Sequence, residues 1–478
     1  MPIDAPPLEL AAQIEGAQCR VNAHYPGVEW EVQAAQADHA DAIAALEAYA
    51  FPPELDWADP ERKGARTDGL LIVHHGVIIY ERYGHGYTAS TPHLAWSATK
   101  TFNAALIGIA AGEGLLDIQA SVCEYLPGVP EENCVIRVVD LLEFASGLDW
   151  HETYEGSSPT SSSVLAMLYG EGRGDMASFT LSHPRRDPPG VTFQYSSGDS
   201  NALSAIARKA LEPKYGERFP WVKLLDPIGM RGVTWERDAL GTYIGSSYLY
   251  ATARDYARFG LLLREDGCWN GAPLLPDGWV DASAEVSVAD RTKLIDADPE
   301  DVQGRQLWLN RTVPERGLNE RPWPHVPEDA ISALGHWGQA IVAIPSVDLV
   351  VVRTADDRDG SFSKDQLLAL AMAVAGEGPL PPPLQPKPPA PPAPPGEELP
   401  PYRASLFSLA AAFNAKETCS CRYVLGMDED FCREVTRVSP DVANAHPRDD
   451  EKVVVSRTLG LWSAKARWVS QEEGCVLE

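Results

Sequence analysis

Two hydrophobic periods run along this chain, and they fall in separate stretches. Apolar residues at Trp96, Phe102, Leu106 and Ile109 recur at helical spacing, which predicts a helix opening near Ser97 and ending near Gly112–Gly114. Tyr256, Phe259, Leu262 and Leu263 carry the same period across Ala251–Arg264. Ala202–Leu211 and Gln366–Val374 read as further helices, Val138–Phe144 as a short one stopped by Ser146-Gly147, and alanine-rich Ala34–Tyr49 as another. The other pattern is β-branched. Gly69–Tyr80 contains two such runs broken at His75-Gly76, a hairpin, and Gly338–Val352 gives two strands around a turn at Pro345. Val191–Tyr195 is a short strand or extended segment. Strands at both ends with helices between predict an α/β (α+β) domain whose sheet is assembled from the two ends, with a helical lobe inserted.

Composition divides the 478 residues further. Residues 1–50 read as an N-terminal extension and 51–378 as the main domain. From Pro379 to Pro401 thirteen of 23 residues are proline, which favours a semi-rigid polyproline spacer of at most ~70 Å. Residues 402–478 form a small cysteine-containing α+β module, with a helix near Leu406–Phe413 and strands near Val453–Ser456 and Ala466–Val469. A net charge of −28 argues against nucleic acid or an anionic membrane as partner.

Eight cysteines permit disulfides. Cys419, Cys421, Cys432 and Cys475 crowd the last module, where Cys-x-Cys suits two disulfides better than the paired hooks zinc prefers. No signal peptide or bilayer-length apolar run is visible. The cysteines favour a periplasmic or secreted location over a cytoplasmic one.

Chemistry enters at Ser97-Ala-Thr-Lys100. Serine and lysine three apart share a face of the first helical turn, where partial positive charge favours an oxyanion. Serine needs a base to become a nucleophile, and burial can supply one by disfavouring the ammonium of lysine. The motif is weak alone. A second copy, Ser361-Phe-Ser-Lys364, lies beside Asp357, Arg358, Asp359 and Gly360 and reads as a solvated turn and helix cap. Taken singly, Tyr195, His336, Tyr154 and Trp337 also have plain structural readings as packed side chains with satisfied polar ends.

Order strengthens the set. Phe193-Gln-Tyr195-Ser-Ser197 and Leu334-Gly-His336-Trp-Gly338-Gln follow Ser97 in turn. With Leu141–Trp150, Tyr195–Leu203 and Tyr250–Gly260, this text resembles the serine β-lactamase and penicillin-binding-protein superfamily over about residues 66–375. The nearest likeness is to its class C-related hydrolases, including 6-aminohexanoate-dimer hydrolases and esterases. The resemblance implies an antiparallel sheet flanked by helices and no metal or other cofactor. It implies Ser97 as nucleophile, Lys100 sharing its proton and setting a tyrosinate-like base at Tyr195, and Tyr195 relaying a proton to the leaving group. Backbone N–H groups of Ser97 and Gln339 would form the oxyanion hole. Tyr154, Ser197, His336, Trp337 and Gly338 would contact substrate, Tyr154 resembling an amide-contacting tyrosine.

Ser197 stands where asparagine is usual in β-lactamases, and His336 replaces a lysine, so a fixed positive charge is lost. The expected activity is hydrolysis of a small ester, linear amide or peptide. The alternatives are a β-lactamase or D-alanyl-D-alanine peptidase, and a non-catalytic binder of peptidoglycan or peptide. The C-terminal module resembles a segment of some of these hydrolases and either caps the main domain or holds a partner. The oligomeric state stays open.

Overall fold

The computed structural model describes residues 19, 23–33, 39–52, 64–154, 159–292, 294, 301–358, 360–383, 402–437 and 442–478. The expected helix residues 34–38 and most of the proline-rich spacer, 384–401, lie outside them.

The hairpin forms as expected. Strands β1 (Thr67–His74) and β2 (Val77–Tyr83) turn at His75 and Gly76, whose φ values of 51° and 79° are the left-handed pair a two-residue turn demands. Four more strands complete one antiparallel sheet: β3 (Trp308–Leu309), β4 (Ile331–Gly335), β5 (Gln339–Ile344) and β6 (Leu349–Ala355). The order is β2-β1-β6-β5-β4-β3, so the two ends of the domain meet where β1 pairs with β6.

Alternation sorts the strand residues between two cores. Leu70, Ile72, Leu349 and Val351 pack with Leu46 of helix α1 (Ala40–Ala50) and with Leu367 and Leu370 of the C-terminal helix Lys364–Ala375. Leu71, Val73, Val350 and Val352 face the other way, against Phe102 of helix α2 (Thr99–Gly112) and Phe259 of helix Ala253–Arg264. Helices on both faces explain why these strands read as unbroken apolar runs.

The boundary drawn at residue 50 cuts through this packing. Helix α1 is a layer of the sheet, with Leu46 and Ala50 fully buried, not a free extension. The expected strand Val191–Tyr195 does not form: Val191 and Thr192 lie in a turn, Phe193 bridges to Leu294, and the chain then leads into helix α3 (Ser197–Tyr215).

The C-terminal module carries helix α4 (Leu406–Tyr423), a short helix α5 (Glu429–Val435) and a four-stranded antiparallel sheet running from Ala443 to Leu477. Helix α4 runs ten residues beyond the expected end at Phe413. The module shares a core with the main domain: Leu409, Ala412, Cys475 and Leu477 pack with Leu94, Trp150, Tyr248 and Tyr250. All eight cysteines are paired: Cys19–Cys268, Cys123–Cys134, Cys419–Cys475 and Cys421–Cys432. The last two are the disulfides expected within the module. Among the described residues, no helix is long and apolar enough to cross a membrane.

Candidate active site

Ser97 lies in a tight turn, Trp96–Ala98, that feeds directly into helix α2. Trp96 has a φ of 48°, a left-handed backbone that a bulky residue adopts only where its surroundings hold it. The turn lies against the edge of β4. A Cβ added at Gly335 would come within 2.1 Å of the Ala95 carbonyl oxygen, so only glycine permits this approach. Gly335 pairs with Gln339, which brings the backbones of the 95–97 turn and Gln339 to the same place.

Lys100 is buried one helical turn on. Its Nζ lies 2.9 Å from Ser97 Oγ, 3.0 Å from Ser197 Oγ and 3.1 Å from the Ser246 carbonyl oxygen. Three acceptors thus match the three hydrogens of the amine. Burial lowers its pKa to about 8, against a smaller upward pull from the charge of Glu152. About a tenth of the amine is therefore neutral at pH 7.

Tyr195 arrives from the other side. Ser196 caps helix α3 by accepting the Asp199 N–H (2.9 Å), which leaves Tyr195 on the extended approach and Ser197 as the first helical residue. The Tyr195 ring packs on Phe144 and Trp308, and Lys100 Nζ lies 4.8 Å from its centroid. The expected tyrosinate is not supported. Burial, and then the Glu152 charge, push the phenol's pKa upward, and its interaction with Ser97 only partly offsets them. This shift favours the neutral phenol, a form able to donate a proton.

The remaining sequence candidates gather around these residues. Tyr154 stacks on His336 with ring centroids 5.3 Å apart, and its hydroxyl lies 3.5 Å from Ser197 Oγ. Trp337 meets Trp96 edge to face at 5.4 Å. The turn through Trp337 and Gly338 has φ values of 58° and 91°, pinned by Asp357 N–H on the Trp337 carbonyl (3.0 Å) and Arg353 on that of Gly338 (3.2 Å). The Gln339 side chain is a brace, bonded to the backbone of His336 and Ala355.

Sequence reading missed Glu152. Its carboxylate accepts from the Ser197 hydroxyl (2.6 Å) and N–H (2.9 Å), the Trp150 indole (2.7 Å) and the Tyr154 hydroxyl (2.7 Å). The available signal was its place in Trp150-His-Glu152-Thr-Tyr154, where only the tyrosine stood out. Ser246 was missed too, because it acts through its carbonyl and any residue type could do so.

A profile of the beta-lactamase family matches residues 42–375. The chain belongs to this family of serine hydrolases. It is 26% identical over 303 residues to a 6-aminohexanoate-dimer hydrolase of Paenarthrobacter ureafaciens, covering 60% of this chain and 72% of that one. Two solved structures share its fold. A penicillin-binding protein homologue from Caulobacter crescentus matches with a TM-score of 0.52 at 15% identity, covering 72% of this chain and 98% of the other. A family VIII carboxylesterase matches with a TM-score of 0.50 at 16% identity, over the same shares.

Proposed function

We propose that this serine hydrolase cleaves an ester or short linear amide through an acyl-enzyme on Ser97. The observation that carries the reading is the buried Lys100 amine, 2.9 Å from Ser97 Oγ with its pKa lowered to about 8. In its neutral form Lys100 takes the Ser97 proton as Oγ attacks the carbonyl carbon. The oxyanion is held by the N–H groups of Ser97 and Gln339. Tyr195, a neutral phenol, gives its proton to the departing alcohol or amine and regains one from Lys100. Water then attacks the acyl group and restores Ser97.

Glu152 argues against an anionic substrate group placed beside it. Its carboxylate sits among Ser197, Trp150 and Tyr154, on the side of the cleft where His336 has replaced a lysine. An anionic group there meets a like charge instead of a fixed cation, which disfavours a penicillin carboxylate. The relative named for a dimer of 6-aminohexanoate is consistent with a linear amide. Four disulfides support folding in an oxidising compartment.

Fluorophosphonate labelling of the full chain tests the mechanism. Labelling at Ser97, abolished in Ser97→Ala, is expected together with turnover of p-nitrophenyl esters well above that of nitrocefin. Folded protein that takes no label would favour a non-catalytic binder, and nitrocefin turnover matching the esters would favour a β-lactamase.

A further inference from the structure

The C-terminal module lies outside the family-matched residues 42–375, yet one of its carboxylates reaches toward the nucleophile's surroundings. Glu417, on helix α4, is buried. Its Oε1 accepts from the hydroxyls of Tyr248 (2.5 Å) and Tyr169 (2.9 Å).

Tyr248 has a φ of 64°, a backbone state that a bulky residue keeps only when its neighbours over-determine it. Those neighbours are identifiable. The hydroxyl is held by Glu417, the ring meets Trp96 at 6.0 Å, and the carbonyl accepts the Glu236 N–H at 3.1 Å. The Glu236 carboxylate is itself anchored in the module, by the Ser420 hydroxyl (2.7 Å), the Cys475 N–H (2.7 Å) and the Lys416 ammonium. On either side of Tyr248 the same segment touches the reactive pair. Ser246 presents its carbonyl to Lys100 Nζ (3.1 Å), and Leu249 presents its carbonyl to the Ala95 N–H (2.8 Å), just ahead of Ser97.

We propose that Glu417 is a positioning residue: by clamping Tyr248, the C-terminal module fixes the Ser246 carbonyl that holds the Lys100 amine against Ser97. The module is thereby part of the catalytic unit, not an appended cap. The inference rests on the reading of Ser97 and Lys100 as nucleophile and base. Displacements of ~1 Å in such a constellation cost up to ~100-fold in rate.

The experiment compares the full-length wild type with Glu417→Leu, Glu417→Gln and Asn414→Ala. Steady-state ester hydrolysis and the rate of fluorophosphonate labelling are measured on each. Glu417→Leu is expected to lower kcat by ~10- to 100-fold with little change in KM. Glu417→Gln keeps an oxygen that accepts from both hydroxyls and should recover most of that loss. Among the described residues, the Asn414 side chain bonds within the module, to Thr436 (3.2 Å) and Ser456 (2.8 Å). Its replacement should lower Tm and leave kcat of the folded protein near wild type.

Wild-type kcat in folded Glu417→Leu, no recovery with glutamine, or a parallel fall in Asn414→Ala would each overturn the proposal. Should the leucine variant not fold, Tyr248→Phe removes the hydroxyl alone, and kcat unchanged there overturns it equally. A wild type that never labels at Ser97 refutes the hydrolase mechanism itself. Equal labelling of wild type and Glu417→Leu refutes only the role given to Glu417.

Discussion

Ser97-Ala-Thr-Lys100 and Ser361-Phe-Ser-Lys364 space a hydroxyl and an amine identically, and the fold puts them in opposite environments. Lys100 is buried beneath the cleft, where loss of hydration lowers its pKa to about 8 and three acceptors hold it. Lys364 is the exposed first residue of a helix whose residues Gln366–Val374 are buried, and Ser361 is exposed as well. Within the second copy Ser363 caps the helix by accepting the Gln366 N–H at 3.3 Å. A hydroxyl–amine pair becomes a nucleophile and base only where the protein keeps water from the amine and aims it at the oxygen. Spacing alone supplies neither.

Three tests, using four substitutions, would break or sharpen this contrast. The largest effect is expected from the lysines: Lys100→Met should cost ~10²- to 10⁴-fold in kcat/KM, whereas Lys364→Met should stay near wild type. Comparable losses in the two variants, measured on one ester, would erase the distinction drawn here.

A smaller effect concerns pH. In the proposed mechanism the neutral amine is the working form, so kcat/KM should rise as pH increases through about 8 and level off above it. The Glu152 charge favours the ammonium, so Glu152→Gln should move this rise to lower pH. A rise that stays in place or moves upward, read from a pH–rate profile, would remove Glu152 from the electrostatics of Lys100.

The smallest is Ser363→Ala. Loss of the cap should lower stability by ~1 kcal/mol in denaturant unfolding while ester hydrolysis is kept. Lost activity at unchanged stability would mean that the second copy has a chemical role after all.

The sheet was legible because both of its faces are covered by helices, so its strands appear as apolar runs such as Leu70–Val73 and Leu349–Val352. The ordered set Ser97, Lys100, Tyr195 and His336 was legible because each belongs to a short motif. Helix α4 was legible only to Phe413. Beyond it Asn414, Lys416, Glu417, Thr418 and Ser420 are all buried, so no apolar stripe marks the buried side. Their partners, including Glu236, Tyr169 and Tyr248, come from the other domain and cannot be read from local period. Glu152 was hidden for a related reason: a single acid in a loop looks solvated until four donors converge on it.

By itself, the order of residues determined the two apolar faces of the central sheet, the helix that carries Ser97 and Lys100, and the family to which both belong. Those features depend on neighbours a few positions apart, where backbone period sets which side chains share a face. Only the tertiary structure decided that burial pushes the Tyr195 phenol upward, that Glu152 lies beside Ser197, that Cys19 pairs with Cys268, and that the last module grips the segment behind Lys100. Each of these depends on desolvation or on contacts between distant parts of the chain, and both come into being only when the chain closes on itself.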